Sequence, residues 1–255
     1  GKLSGEIGTH VFIDPQLEQR ALKKLGLKPD EASTQIISRD RHVQVVGLMV
    51  TNSGTLARIA ENIRHLAKTE IGEVREPFEN QEGSSAMPHK RNPELSERII
   101  GLDRIIRSQF SPESEASRAL FERDISHSST ERYVFPDVFE SLAYATRLTK
   151  FVIDKLEVFP KKMEKNLGLT HGGIYSSRLL NALIDTGKYT RTQAYDLVKK
   201  LAQQAIDQET NLKDLALNNP DIKTLLKPAE IEELFNPNFY LKNIDVAFRR
   251  TGVIF

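Results

Sequence analysis

The chain has no cysteine among its 255 residues, which excludes disulfides and thiolate metal centres and points to the cytosol as the simplest setting. It has no excess of either charge: the formal net charge is +1, although 28% of residues are charged. A balance this close to neutral argues against a dedicated nucleic-acid surface or anionic-membrane surface, while leaving room for a local basic pocket. No apolar run is long enough to span a bilayer, and no signal peptide is visible. Strictly alternating apolar stretches, internal repeats and low-complexity tracts are also missing. The histidines His10, His42, His65, His127 and His171 carry no metal-ligand spacing, so they read as surface or packing residues and no metal is expected. What is left is the composition of a soluble globular protein, 39% hydrophobic and long enough for one large domain or two smaller ones. It opens GKLSGEIGTHVFIDP without an initiator Met and reads as the middle of a longer protein.

The apolar spacing is helical. Asp14-Pro15 opens a short helix that Gly26 ends. From about Arg41 to Val74, the positions Val45, Met49, Asn52, Leu56, Ile59, Ile63 and Leu66 form a heptad seam with one polar member. Such a seam calls for partner helices, and an Asn within it often fixes register. Asn92 and Pro93 read as cap and first residue of another helix, whose apolar face is Leu95, Ile99, Leu102 and Ile106. Residues 111 to 130 look polar and irregular. Ser128-Ser129-Thr130-Glu131 has the form of a capping box for a second long helix, with Pro136 early in it. Shorter helices are expected near 174–186, 190–208 and 228–235. The expected fold is all-α: a long-helix bundle over 1–167, then a small C-terminal helical domain over 168–255.

The stretch Gly83-Ser84-Ser85-Ala86-Met87-Pro88-His89-Lys90-Arg91-Asn92-Pro93 sits between two of these helices. Gly83 and the serines allow a sharply bent backbone. Lys90 and Arg91 suit carboxylates or phosphates, and a helix start at Asn92 favours an anion. Taken alone, the string could equally be a solvated basic loop. Downstream, Arg123, Ser128 and Arg132 place two guanidiniums and a hydroxyl at a helix start, a set that suits a dianion. The bland reading is a capping box with two solvent-facing arginines.

The whole string GSSAMPHKRNP resembles the signature loop of the fumarase/aspartase superfamily, whose members eliminate fumarate or a close relative. The Pro-His-Lys-Arg-Asn-Pro version resembles the adenylosuccinate lyases and the related carboxymuconate cycloisomerases. Phe121-Glu-Arg-Asp-Ile-Ser-His-Ser-Ser-Thr-Glu-Arg132 resembles the adenylosuccinate lyase pattern that binds the nucleotide phosphate, and KLSGEIGTHVFIDP and Ser33-Thr-Gln-Ile-Ile-Ser-Arg-Asp-Arg41 resemble the middle of those enzymes. The resemblance implies β-elimination of fumarate from adenylosuccinate, giving AMP, and from SAICAR, giving AICAR, with no cofactor. It implies Ser84 as general base, Lys90 and Asn92 as stabilisers of the aci-carboxylate, and Glu97 as the residue orienting the general-acid histidine. Gln35, Ser85, Met87 and Arg98 are implied substrate contacts, and Arg123, Ser128 and Arg132 the phosphate clamp. Arg39 and Arg41 are further candidates. His89 is not assigned as proton donor.

The resemblance further implies a cytoplasmic homotetramer whose sites each draw on three subunits. The general-acid histidine belongs to a portion of the family preceding anything like Gly1, so the 255-residue chain alone is expected to be inactive. The rival readings are another superfamily lyase, such as a carboxymuconate cycloisomerase, and a non-catalytic helical assembly module.

Overall fold

A computed structural model describes residues 1–78, 87 and 90–253. The chain divides into two compact units, Gly1–Phe159 and Pro160–Phe255. The division falls a few residues before the expected boundary at 167/168, because Pro160 starts a helix, α6 (Pro160–Leu167), of the second unit.

The first unit is built on three long helices: α2 (Asp40–Leu66), α3 (Glu94–Ser108) and α5 (Ser126–Asp154), with the short α1 (Pro15–Lys24) before them. Asp14 caps α1 by accepting from the Gln16 amide at 2.8 Å, and Pro15 takes the first helical position as expected. Val46, Ile106, Val134 and Val138 form the core where the three long helices meet. Residues expected to be irregular instead form α4 (Phe110–Ala116), which buries Glu113 and Ala116. Its polar composition hid it, since a carboxylate and one small alanine, not a run of apolar side chains, face inward.

Contacts fix the directions of the helices. Ser53 donates to Asp103 at 2.6 Å, and Arg64 lies 3.5 Å from Glu97, so α2 and α3 are antiparallel. Arg98 donates to the Tyr144 hydroxyl at 2.9 Å, while Ile106 packs with Val134 and Val138, so α3 and α5 are antiparallel as well. The unit therefore has two poles. One holds the starts of α2 and α5 with α4, and the other holds the start of α3 with the end of α2.

Of the seam positions on α2, Ile63 is buried, while Met49, Leu56, Ile59 and Leu66 are half-buried. Val46, Ser53, Ala57, Ala60 and Ile63 are buried, whereas Val45 and Asn52 are exposed and Leu48 is 65% exposed. Small side chains on the buried face allow close approach to α3: a Cβ on Gly54 would come within 2.4 Å of the Arg107 guanidinium. The Val45–Asn52 side of the seam is left for another partner. A two-residue antiparallel pair, β1 (Val74–Arg75) with β2 (Glu157–Val158), closes the second pole, too short to leave an alternating signal in the sequence.

The second unit continues with α7 (Ser176–Asp185), α8 (Arg191–Asp207), α9 (Leu212–Asn218), α10 (Pro220–Lys223), α11 (Pro228–Leu234) and α12 (Ile244–Arg250). Its core joins Leu179, Leu183, Val198, Leu201, Leu212, Ile222 and Ile231. A capping box between Thr190 and Gln193 starts α8, and Asn211 and Asn219 cap α9 and α10.

Candidate active site

Ser84, Ser85 and His89 lie outside the described residues. Met87, Lys90 and Asn92 are described, and all three are exposed. The Lys90 amide donates to the Met87 carbonyl at 2.9 Å, which turns the chain just before α3. Arg91 stacks over Phe78, 5.1 Å from the ring centroid, and lies 4.0 Å from Glu157, which also accepts from Arg75 at 2.8 Å. A cleft of about 220 Å³ at this root is lined by Arg75, Glu76, Phe78, Arg91 and Asn92, among others.

The start of α3 differs from expectation. Pro93, not Asn92, holds the N-cap position and supplies no side-chain bond. The cap comes from Glu76, which is 4% exposed. Its two oxygens accept from the Leu95 amide at 3.0 Å and the Ser96 amide at 2.7 Å. A carboxylate of the same chain thus occupies the first-turn amides that the sequence reading offered to a substrate anion. The dipole of α3 is compensated internally, so the positive groups left to act on a ligand here are side chains, Lys90 first among them. Sequence separation hid Glu76, which caps a helix 19 residues downstream.

Glu97 and Arg98 follow on the same turn. The Glu97 side chain is 50% exposed, with Arg64 as its neighbour. Arg98 is committed to Glu94 and Tyr144, which hold its guanidinium charged, Tyr144 contributing most. Its bonding makes it a brace between α3 and α5.

The other group lies at the opposite pole. The Thr34 hydroxyl donates to the Glu122 carbonyl at 2.8 Å, joining the segments that carry Gln35 and Arg123. The Gln35 carbonyl is also held by the Lys2 ammonium at 2.9 Å. Ser128 and Arg132 share one face of α5 at i,i+4 spacing. Arg123 and Arg132 are exposed, with no ion pair among the described residues. Leu120, Phe121, Ile125 and Tyr133 around them are 64–91% exposed, an apolar rim that this chain leaves bare.

The expected capping box is absent. Helix α5 begins at Ser126, ahead of Ser128, with Asp124 accepting from the Ser126 amide at 2.7 Å and the Leu120 amide at 3.1 Å. Those bonds hold the Asp124 carboxyl below its ordinary range, the Ser126 hydroxyl contributing most. Glu131, the expected box partner, turns instead toward α2. Its Oε1 lies 2.7 Å from Arg39 Nε, too oblique for a hydrogen bond, and 3.0 Å from His42 Nδ1. Arg39 and His42 thereby fix the turn of α5 that carries Ser128 and Arg132. Arg41 pairs with Asp30.

The two groups do not meet within one chain. Arg98, one turn into α3, touches Tyr144, and Arg132 lies twelve residues back along α5. At 1.5 Å per residue this is a separation of ~18 Å along the helix axis. Gln35, Arg123, Ser128 and Arg132 share one pole, while Lys90, Asn92, Glu97 and Arg98 share the other.

Comparison with known proteins bears on the chain as a whole. A family model described as "Lyase" matches residues 1–106, and one described as "Adenylosuccinate lyase C-terminus" matches residues 172–251. The chain is 43% identical over 251 residues to the adenylosuccinate lyase of Thermotoga maritima, covering 98% of this chain and 58% of that protein. It is 42% identical over 254 residues to that of Bacillus subtilis, covering 99% and 59%. The chain therefore spans somewhat under three-fifths of the length of these curated relatives. Among solved structures, the fold matches the 3-carboxy-cis,cis-muconate lactonizing enzyme of Pseudomonas putida with a TM-score of 0.76 at 26% identity, over 89% of this chain and 50% of that one. It also matches a fumarate lyase from Mesorhizobium sp. BNC1 with a TM-score of 0.77 at 25% identity, over 89% and 50%. The chain thus has an all-α long-helix core, carries the adenylosuccinate lyase C-terminal model over residues 172–251, and is similar along nearly its whole length to the adenylosuccinate lyases.

Proposed function

We propose that the intact protein is a cytoplasmic adenylosuccinate lyase, a C–N lyase that eliminates fumarate from adenylosuccinate to give AMP and from SAICAR to give AICAR. The observation that carries this reading is the 40–43% identity to adenylosuccinate lyases over nearly the full chain. The Arg123, Ser128 and Arg132 set supports it, since two unpaired guanidiniums and a hydroxyl fit a nucleotide phosphate.

In this mechanism Ser84 removes the proton from the carbon beside a succinyl carboxylate. A serine hydroxyl is a poor base at neutral pH and needs nearby positive charge and exclusion of water to act. Lys90 and Asn92 stabilise the charge that builds on the carboxylate as the proton leaves. With the α3 amides filled by Glu76, Lys90 carries more of that load than a helix dipole would. Glu97, exposed beside Arg64, orients the general-acid histidine from the portion of the family upstream of Gly1. Ser85 and Met87 contact the substrate.

The site is composite. Two half-sites ~18 Å apart on one chain are completed by other copies in a homotetramer, and the exposed Val45, Leu48 and Asn52 side of α2 supplies part of the surface for it. The test is incubation of intact protein with adenylosuccinate, with AMP and fumarate as the readout. Turnover only of a non-nucleotide dicarboxylate would favour the cycloisomerase-like alternative suggested by the solved-structure match. No lyase activity at all would favour an assembly module. An unchanged rate in Ser84→Ala would remove that serine from its role.

A further inference from the structure

Behind the turn of α5 that carries Ser128 and Arg132, three side chains from three helices converge: His42 of α2, Glu113 of α4 and Glu131 of α5. Glu113 is the anomaly. It is fully buried, and neither carboxylate oxygen has a hydrogen-bond partner among the described residues. Leaving a buried carboxylate unmatched is among the costliest arrangements a fold can hold. Protonation alone does not resolve it, because a carboxylic acid needs an acceptor at ~2.5–3.0 Å. The His42 Nδ1 atom is 3.9 Å away from Glu113 Oε1 and is already engaged with Glu131 at 3.0 Å.

One ligand atom from each residue lies within 4.8 Å of the others. An ion with bonds of about 2.1 Å holds neighbouring donors ~3.0–3.5 Å apart and opposed donors ~4.2 Å apart. The His42–Glu131 and His42–Glu113 spacings of 3.0 and 3.9 Å lie near that geometry and the third is within 4.8 Å, so binding calls for side-chain adjustment and no change of fold. The surroundings are those of a supported site. Arg39 lies 2.7 Å from the Glu131 oxygen that faces His42, and the Phe135 ring packs edge-on to His42 at 5.1 Å. His42 is 35% exposed and gives an entry path.

We propose that His42, Glu113 and Glu131 form a divalent-cation site that pins α4 to α2 and α5. One imidazole with two carboxylates suits zinc over calcium or magnesium, and manganese, a carboxylate-binding ion, serves as a paramagnetic probe of the same site. The role is structural and stands apart from the lyase reading, which routes no step through a metal. Such a site leaves no spacing motif, because its ligands come from three separate helices, and it adds a ligand role for His42 to its packing against Phe135.

The test is calorimetric titration of chelator-treated intact protein with Zn²⁺ and with Mn²⁺. One ion per chain is expected, together with a rise in melting temperature. His42→Gln and Glu113→Gln should each weaken binding by at least ~10-fold and abolish that rise. Absence of saturable binding, or equal binding in both variants, overturns the proposal. Should either variant fail to fold by circular dichroism, pulsed electron paramagnetic resonance of Mn²⁺ in the unaltered protein decides. Coupling to one imidazole nitrogen supports the site, and no nitrogen coupling overturns it.

Discussion

Replacing Glu76 by Ala should destabilise the first unit far more than its place in a short connecting segment suggests. Glu76 accepts from two amides at 3.0 and 2.7 Å, those of Leu95 (6% exposed) and Ser96 (fully buried). Removing the carboxylate leaves two buried donors unmatched, at about 1–3 kcal/mol each. It also removes a negative charge from the positive end of α3, worth about 0.3–2 kcal/mol. Together these predict a loss of at least ~2 kcal/mol, centred at ~5 kcal/mol. For a unit of this size each kcal/mol moves the melting temperature by ~2–4 °C, so a drop of roughly 10–20 °C is expected at the centre of the range. Glu76→Gln keeps an oxygen for one donor and should lose about half as much. Thermal or urea unfolding followed by circular dichroism measures both. A loss below ~1 kcal/mol in Glu76→Ala would refute the reasoning, because it would mean the α3 amides are satisfied in some other way.

Ile106→Ala removes a fully buried side chain where α2, α3 and α5 meet, and should cost ~2–5 kcal/mol in urea unfolding. Gly8→Ala should also destabilise: Gly8 has φ +82°, and an added Cβ would fall 1.9 Å from the Ser33 carbonyl oxygen, so a melting temperature equal to wild type would contradict the backbone described. The Glu18 carboxyl is held below its ordinary 4.5, chiefly by the Leu3 amide and then by His10. Because the folded value is the lower one, its stabilisation is fully present above 4.5 and is lost as pH falls from there through the folded value. Glu18→Gln should flatten the stability profile in that acidic window and leave its shape unchanged near neutrality.

Much of the helical skeleton was legible because it rests on local signals. Asp14-Pro15 marked α1, and the apolar spacing of 95, 99 and 106 marked the buried face of α3. Shifts arose where a nonlocal group overrode the local one. Asn92-Pro93 looks like a cap, yet Glu76 does the capping. Ser128 and Glu131 look like a capping box, yet Asp124 caps α5 while Glu131 is drawn to Arg39 and His42. Helix α4 was missed because its inward face is the Glu113 carboxylate. Of the candidate site, the residue identities were readable from the motifs, but their division between two poles was not. That division depends on the antiparallel order of α3 and α5, which only the Arg98–Tyr144 and Ile106–Val138 contacts define.

The composite site is tested most directly by mixing two crippled chains of the intact protein, Lys90→Ala and Arg132→Ala. Each alone should form AMP from adenylosuccinate at a small fraction of the wild-type rate. Dissociated and reassembled together, they should regain activity, because some sites would pair an unaltered Lys90 from one chain with an unaltered Arg132 from another. A mixture no more active than its parents would contradict the account, since it would require both residues to serve one site from the same chain.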